Sequence, residues 1–418
     1  MRFLDLIIRT FTKLKSFWNY KIFRIAILLN SFYFILGLIL FFVFYYEKND
    51  FFIFYESGRV FLFDIENLYD QTYYLWDFRY FPLSALFFIP FSFFDFGLAF
   101  ILFNITNYIL NILISLMLYK IIIIIRGKDH EKDDGRIVLY ISVYLMGLPH
   151  ILNYIYGQIN LFITFFILSS VLIFISRKGY FWQFLASLIL GISVIIKPTS
   201  LFMIPFLLLT RVERKKWRIK FFLKESIIRI FGVLLPVFSN SILFLIFPKL
   251  WNGFLSTNLT GSNPTALNFS FSFTKLITNF CFFFNIPFSQ LYILISFVLI
   301  FGSIGFISFL LRSEHHNSII FGYTLGIIIM LLAYFDSWNH HLLNLIPLLI
   351  IILFNLPRKS EIVDYIKPSL FFFSFFDLVF LGMWFLTYPI FPYNFGSTFF
   401  LLITFIGIIR YLLSKEGG

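Results

Sequence analysis

Four regions of a very apolar chain carry side chains that could do acid–base or ionic chemistry. Asp50 supplies a carboxylate, which can accept a proton, and Lys197 in KPTS supplies a cation, which can neutralise an anionic group. The other two regions are His150 with YGQIN at 156–160, and FDSWNHH at 335–341. These regions are far apart in the sequence, so a shared chemistry requires a fold that brings them to one place.

Each of these groups also has a structural explanation. Asp50 can cap a helix or be a solvated loop acid. Lys197 ends an apolar run before Pro198, so its long side chain can reach the lipid headgroups. His340 and His341 are adjacent, so they point to different faces and do not form an i, i+4 metal pair. Interfacial anchoring explains these two histidines equally well.

The stretch from Tyr46 to Pro82 keeps more charge in one place than its apolar surroundings predict. Between Glu47 and Arg79 it has seven acidic and three basic residues, interleaved with Phe, Tyr and Trp. The carboxylates at 64, 66, 70 and 77 are most simply solvated or capping groups. DIENLYD has the carboxylate density of a weak cation site, but no ligand spacing fixes one. We therefore expect no metal site.

The composition indicates a membrane environment. The chain is 60% hydrophobic and 13% charged, whereas a soluble protein has about 25% charged residues. Apolar runs of about 20 residues recur, which predicts an all-α polytopic membrane protein. The net charge of +12 is explained by basic cytoplasmic loops rather than by nucleic acid binding. The single cysteine, Cys281, excludes an intrachain disulfide and a cysteine metal cluster.

The apolar runs predict about twelve transmembrane helices, with both termini in the cytoplasm. All but six of the 33 lysines and arginines then fall on the cytoplasmic side, as the positive-inside rule requires. The weakest of these spans is 199–210, which is short for a membrane crossing. The predicted spans are 22–46, 98–122, 137–150, 159–176, 182–196, 199–210, 226–247, 288–311, 318–334, 341–356, 368–388 and 397–413.

The chain is predicted to be a single membrane domain over residues 1–418. Residues 1–21 are expected to form a basic amphipathic segment on the cytoplasmic face. The segments 47–97 and 248–287 are the two large outer loops. Residues 80–94 are short for a span and contain two prolines, and crossing there would put every later basic loop on the wrong side. We therefore predict that 80–94 lies in the outer interface without crossing.

The order of the motifs resembles the integral-membrane glycosyltransferases of the GT-C fold, and among them glycosyltransferase family 87, the polyprenyl-phosphate-mannose-dependent mannosyltransferases. NDFFIFYESGRVFLFDIENLYD is similar to that family's first outer loop, and FRYFPLSALFFIPF is similar to its surface helix. GQINLFITFFIL, GISVIIKPTSLFMIPFLLL and WNHHLLNLIPLLI are similar to its later signatures, in the same order. Phe81 stands where the family usually has the first of two prolines. The resemblance covers about residues 45–350.

The resemblance implies an inverting transfer of a sugar, in that family mannose, from a polyprenyl- or dolichyl-phosphate carrier to a glycan or glycolipid acceptor. It implies that the active site lies on the extracytoplasmic face of the cell membrane, with Asp50 as catalytic base. The donor phosphate would be bound by Lys197, with His340, His341 and Arg79 next. No cofactor is expected beyond the lipid-linked donor. The predicted substrate-binding residues are Tyr55, Arg59, Tyr69, Trp76, Tyr80, His150, Gln158 and Asn160.

The alternative function is a transporter or flippase of a lipid-linked or amphipathic substrate. Transporters usually place polar residues near the bilayer midplane on broken helices, often within inverted repeats. In the predicted topology the polar groups gather at the outer rim instead, and no internal repeat is visible. This arrangement favours the enzyme.

Overall fold

The computed structural model describes residues 15–127, 133–213, 218–260, 269–311, 317–357, 360–390 and 396–414. These residues are mostly helical, and a short antiparallel sheet pairs Thr210–Glu213 with Arg218–Phe221. The predicted all-α membrane fold is confirmed at this level. Most of the predicted amphipathic segment, residues 1–14, lies outside the described residues.

Each predicted span coincides with a helical segment. The helices at these positions are Lys21–Leu40 with the π-helix Phe41–Tyr45, Phe96–Arg126, Asp134–Met146 with Pro149–Tyr156, Asn160–Ser176, Tyr180–Ile196, the 3-10 helix Pro198–Leu207, Leu223–Ile246, Gln290–Leu310, Ser318–Ala333, Leu342–Asn355, Val363–Phe371 with the π-helix Phe372–Phe376 and Asp377–Thr387, and Gly396–Leu413. The remaining segments are the α-helices Asp50–Phe63, Ile89–Ser92, Pro248–Thr260 and Phe273–Phe283 and the 3-10 helices Ile65–Asn67, Gln71–Tyr73, Pro82–Phe87 and Asn339–His341.

Helix length limits which of these segments can cross a bilayer by themselves. Among the described residues, six helices are long and apolar enough to cross, or seven if the pair bent by 44° at Gly147 is one span. Asn160–Ser176 has 17 residues, which at 1.5 Å per residue is about 25 Å, shorter than the ~30 Å hydrocarbon core. The total of twelve spans therefore remains a prediction.

The predicted surface segment 80–94 forms no continuous helix. It contains a six-residue 3-10 helix, Pro82–Phe87, and a four-residue α-helix, Ile89–Ser92, both too short to span. The end of the segment is attached to the helix Asp50–Phe63, because the Tyr55 hydroxyl donates to the Phe94 carbonyl at 2.8 Å. Neither short helix can cross the bilayer by itself, and the position of the segment in the outer interface remains a prediction.

Two consecutive helices form the interior of the bundle. Every residue of Ser318–Ala333 is buried, and so is every residue from Leu342 to Phe354. Helices that are apolar on all sides are expected inside a bundle, because every face needs a protein or lipid partner. The connection between them, residues 334–341, carries FDSWNHH. The two buried helices therefore hold this polar segment at one end of the bundle.

The predicted topology can be tested by cysteine labelling in a Cys281→Ser background. Lys128 and Lys216, which lie outside the described residues, are expected in cytoplasmic loops. Cysteines at these two positions should resist a membrane-impermeant maleimide added to intact cells. A cysteine at Trp76, which is 59% exposed in the first outer loop, should react and serves as the control. Labelling at Lys128 or Lys216 from outside would contradict the topology.

Candidate active site

Asp50 is the first residue of a helix that is fixed in place by its phenylalanines. The side chain of Asn49 caps this helix by accepting the Phe52 N–H at 3.1 Å. Phe51 and Phe54 are completely buried in the main hydrophobic core. The cap and these two anchors give the Asp50 carboxylate a defined position at the helix N-terminus.

A close backbone approach brings a second polar residue onto Asp50. The helix Pro149–Tyr156 ends at Gly157, whose φ of +60° is left-handed. A Cβ at Gly157 would lie 2.6 Å from Cβ of Phe51, so the contact requires glycine. Next in the chain, Gln158 donates a side-chain hydrogen bond to the Asp50 carboxylate. The predicted residues Asp50 and Gln158 are therefore in direct contact.

Lys197 reaches the same place from another helix. It follows the C-terminus of Tyr180–Ile196, and Pro198 begins the next 3-10 helix. Its Nζ donates to Oδ1 of Asn160 at 3.0 Å, and the residue is only 7% exposed. Lys197 is close enough to Asp50 for each charge to stabilise the other. A buried lysine is costly unless an anion lies near it, and Asp50 and Asp336 supply that negative charge here.

Burial also tunes the proton affinity of these two groups. It raises the pKa of the Asp50 carboxyl to about 6, although the Lys197 charge and the Gln158 hydrogen bond act in the opposite direction. Burial lowers the pKa of the Lys197 ammonium to about 7, although Asp50 and Asp336 oppose this change. Asp50 is therefore a carboxylate with the proton affinity of an effective base near neutral pH.

The two histidines lie beside Lys197 at the start of the buried helix Leu342–Asn355. Their rings are 4.5 Å apart, and the Lys197 charge reaches both of them. Nδ1 of His341 accepts the Trp338 N–H at 3.1 Å. Nδ1 of His340 is buried and has no hydrogen-bond partner within the described part of the chain. His340 thus carries a polar atom that a ligand could satisfy.

Arg79 is held at the site by an ion pair with Asp336, a residue that the sequence analysis did not select. Its guanidinium contacts Asp336 at 2.5 Å and Asp77 at 3.7 Å. Asp336 is also within electrostatic range of Asp50 and Lys197. The signal for Asp336 was its place in FDSWNHH, from which only the histidines were selected. Tyr80 also lies near this group, because the charges of Asp50 and Asp336 reach its hydroxyl.

Three predicted substrate-binding residues instead make contacts within the first outer loop, and a fourth faces solvent. The Tyr55 hydroxyl donates to Phe94, and the Tyr69 hydroxyl donates to the Tyr80 carbonyl at 2.7 Å. Arg59 pairs with Glu56 at 3.0 Å and is half exposed. Trp76 is exposed and is available to a soluble partner. The structure does not bring these four to Asp50, and their contact with substrate remains a prediction.

His150 lies in a separate buried network among helices. Its Nε2 lies 3.0 Å from the Tyr144 carbonyl, and its Nδ1 lies 3.5 Å from the Asn111 side-chain nitrogen. Asn111 further bonds Tyr144 and Tyr154. Because both ring nitrogens have protein neighbours, the structural explanation fits His150 best, and its role in substrate binding stays a prediction.

Two of the loop acids act as local hydrogen-bond acceptors. Asp70 caps the 3-10 helix Gln71–Tyr73 by accepting the Thr72 N–H at 2.9 Å. Asp64 accepts hydrogen bonds from Asn67 and Tyr73, which lower the pKa of its carboxyl. Within the described residues, no three His, Cys, Asp or Glu side chains are arranged to hold a metal ion. The hydrogen bond from the Thr72 N–H confirms the capping explanation for Asp70.

The buried carboxylate of Asp377 is hydrogen-bonded to the segment that carries His340 and His341. Asp377 is buried directly after the π-helix Phe372–Phe376, and it accepts hydrogen bonds from Ser397 and from the side chain of Asn339. Asn339 immediately precedes His340. Asp377 therefore acts on the candidate site through Asn339, as a positioning residue.

Asp377→Asn is expected to loosen this support. Asn339 and Ser397 donate to the two different oxygens of Asp377, and asparagine offers only one oxygen, so one of these hydrogen bonds to a charged acceptor is lost, at a cost of about 1–3 kcal/mol. The melting temperature of the purified protein should fall, and the activity of the site should fall about tenfold. Asp364→Asn, at an exposed position on the helix Val363–Phe371, is the matched control. Unchanged melting and activity in Asp377→Asn would contradict the positioning role.

Comparison with known protein families shows which family the chain belongs to. The model of glycosyltransferase family 87 matches residues 78–334, which is more than half of the 418 residues. No curated protein matches the chain significantly. The matched region includes Arg79, Gln158, Asn160 and Lys197, whereas Asp50, Asp336 and the two histidines lie outside it. This integral membrane protein belongs to glycosyltransferase family 87.

Proposed function

We propose that this glycosyltransferase takes its sugar from a polyprenyl- or dolichyl-phosphate carrier and transfers it to a glycan or glycolipid acceptor on the extracytoplasmic face of the cell membrane. The observation that carries the proposal is the meeting of Asp50 and Lys197 through Gln158 and Asn160. One group suits the proton of an attacking hydroxyl and the other suits a leaving phosphate. That the sugar is mannose rests on the resemblance alone.

The reaction would be a single displacement at the anomeric carbon. An acceptor hydroxyl forms the new glycosidic bond while its proton passes to the Asp50 carboxylate. The bond between the anomeric carbon and the phosphate oxygen breaks, and the carrier leaves as a phosphomonoester. Lys197, His340 and His341 would stabilise the charge that develops on this phosphate. One displacement inverts the anomeric centre, so a β-linked donor would give an α-linked product.

The membrane setting supports a lipid-linked donor. The candidate site lies where several apolar helices end, at Ile196, at Ala333 and before Leu342. A polyprenyl tail can lie along such helices while its phosphate reaches Lys197. The extracytoplasmic position rests on the predicted distribution of basic residues. A transporter of the same lipid remains the second candidate, but the family match supports a glycosyltransferase.

The proposal can be tested with the purified protein in lipid nanodiscs. We would supply radiolabelled polyprenyl-phosphate-mannose with membrane lipids and glycans as acceptors, and supply GDP-mannose in a parallel reaction. Label is expected in an acceptor from the lipid-linked donor and not from the nucleotide sugar. Transfer from GDP-mannose alone would overturn the donor assignment. Movement of the labelled lipid across a vesicle bilayer, without a new glycosidic bond, would favour the transporter.

A further inference from the structure

A second buried lysine lies near the candidate site on a different element. Lys275 is in the first turn of the helix Phe273–Phe283 and is only 6% exposed. Its backbone N–H donates at 3.1 Å to the hydroxyl of Ser272, which caps this helix. The helix dipole disfavours a cation in the first turn, and burial disfavours it further. Helix formation therefore does not explain a lysine at this position.

Hydrogen bonds attach this helix start to the segment that carries Asp336. The Phe271 N–H donates to the Ser337 carbonyl at 3.0 Å, and the Ser337 N–H donates to the Ser270 hydroxyl at 3.1 Å. The Thr274 hydroxyl donates to the Ala333 carbonyl at 2.5 Å. These three contacts on both sides of Asp336 fix its position relative to Lys275.

Asp336 is the carboxylate that these cations share. It contacts Arg79 at 2.5 Å, and its charge reaches both Lys197 and Lys275. With Asp50 included, three cations face two carboxylates, so the group carries a net charge of +1 when all five are ionised. A sugar phosphodiester carries one negative charge. Its binding would therefore neutralise the group.

We infer that Lys275 binds the carrier phosphate, and that Asp336 serves as an exchangeable counter-ion for Lys275 and Arg79 until the phosphate arrives. This inference rests on the proposed function. It adds a phosphate-binding residue from the second outer loop, 248–287, to those contributed by the first loop and the helix ends. It also explains why a carboxylate lies among the cations of a site for an anion: buried cations need a counter-ion when the donor is absent.

The test compares three variants with the parent protein in nanodiscs, using polyprenyl phosphate without a sugar as the binding probe. Lys275→Gln should weaken binding of the probe about tenfold or more, because a charged hydrogen-bond partner is lost. It should raise the donor KM by a similar factor and change kcat much less. Lys249→Gln is the matched control: Lys249 also lies in the second outer loop, but its side chain is 69% exposed and pairs with Glu66 at 3.5 Å. The control should bind and turn over like the parent.

Asp336→Asn keeps the inference testable if Lys275→Gln does not fold. Removing the competing counter-ion should tighten binding of polyprenyl phosphate severalfold, whereas a purely structural ion pair would leave binding equal or weaker. Parent-like binding by Lys275→Gln, or equal or weaker binding by Asp336→Asn, would overturn the inference and leave the proposed function intact. If the parent binds no polyprenyl phosphate at all, the inference and the proposed donor both fail.

Discussion

Asp50→Asn is expected to lower turnover by about two orders of magnitude or more, while binding of the lipid-linked donor survives. General base catalysis is worth roughly 10²–10⁴-fold in rate, and the amide removes the basic oxygen. The amide keeps the size of the carboxylate, and its oxygen can still accept the hydrogen bond from Gln158. The loss should therefore appear in kcat rather than in donor affinity. Transfer kinetics and binding of polyprenyl phosphate, measured at equal protein amounts, separate the two.

The pH profile gives a second readout of the same residue. Burial raises the pKa of Asp50 to about 6, and only the deprotonated carboxylate can act as the base. Parent activity should therefore be lost as the pH falls through about 6. The residual activity of Asp50→Asn should not show this acid limb, because a side-chain amide does not titrate near pH 6. If the variant kept the same acid limb, the loss of activity at low pH would belong to a group other than Asp50.

Two loop carboxylates provide controls for Asp50. Asp64 is held by Asn67 and Tyr73, and Glu66 lies 3.5 Å from Lys249, both within the first outer loop. Asp64→Asn and Glu66→Gln should mainly alter acceptor affinity or loop stability. If Asp50→Asn turned over like the parent while one of these two abolished transfer, the base would be assigned wrongly. The active site would then be centred farther along the loop.

The helix positions were predictable because apolar runs and their polar interruptions are local properties of the sequence. The number of membrane crossings does not follow as directly from the sequence, because helices such as Ser318–Ala333 are apolar on every face and are buried by other helices. An interior helix does not have to match the thickness of the bilayer. Run length therefore predicts where such a helix lies but not whether it spans.

The site was predictable in part for a related reason. Asp50, Lys197 and the histidines stood out because charge is rare beside long apolar runs. Asp336 and Lys275 did not, because their importance comes from shared neighbours far apart in the sequence. His150 shows the opposite case, since it also stood out yet lies in a buried network with Asn111 and Tyr144. Rarity locates a polar residue but does not reveal its partners.

Lys197→Ala is expected to impair donor use strongly and leave protein abundance nearly unchanged. A hydrogen bond to a charged group is worth about 1.5–3 kcal/mol, so loss of the ammonium should lower kcat/KM for the donor about 10- to 150-fold. Abundance should survive because Asp50, left without the Lys197 charge, can take up a proton instead of remaining a buried unpaired anion. Lys197→Met retains the apolar part of the side chain and should lose activity to the same extent. The exposed Lys249→Ala is the control for charge alone.

A change in pH dependence would distinguish an electrostatic role for Lys197 from a packing role. The Lys197 charge lowers the pKa of Asp50, so its removal should raise that pKa above about 6. The acid limb of Lys197→Met should therefore move to higher pH, and adding more donor should not restore it. In the parent, activity should also fall as the pH rises through about 7, because Lys197 loses its proton there. That alkaline limb should be absent from the variant. Normal activity with an unshifted profile in Lys197→Met would remove Lys197 from the site and leave the phosphate to Arg79 and the histidines.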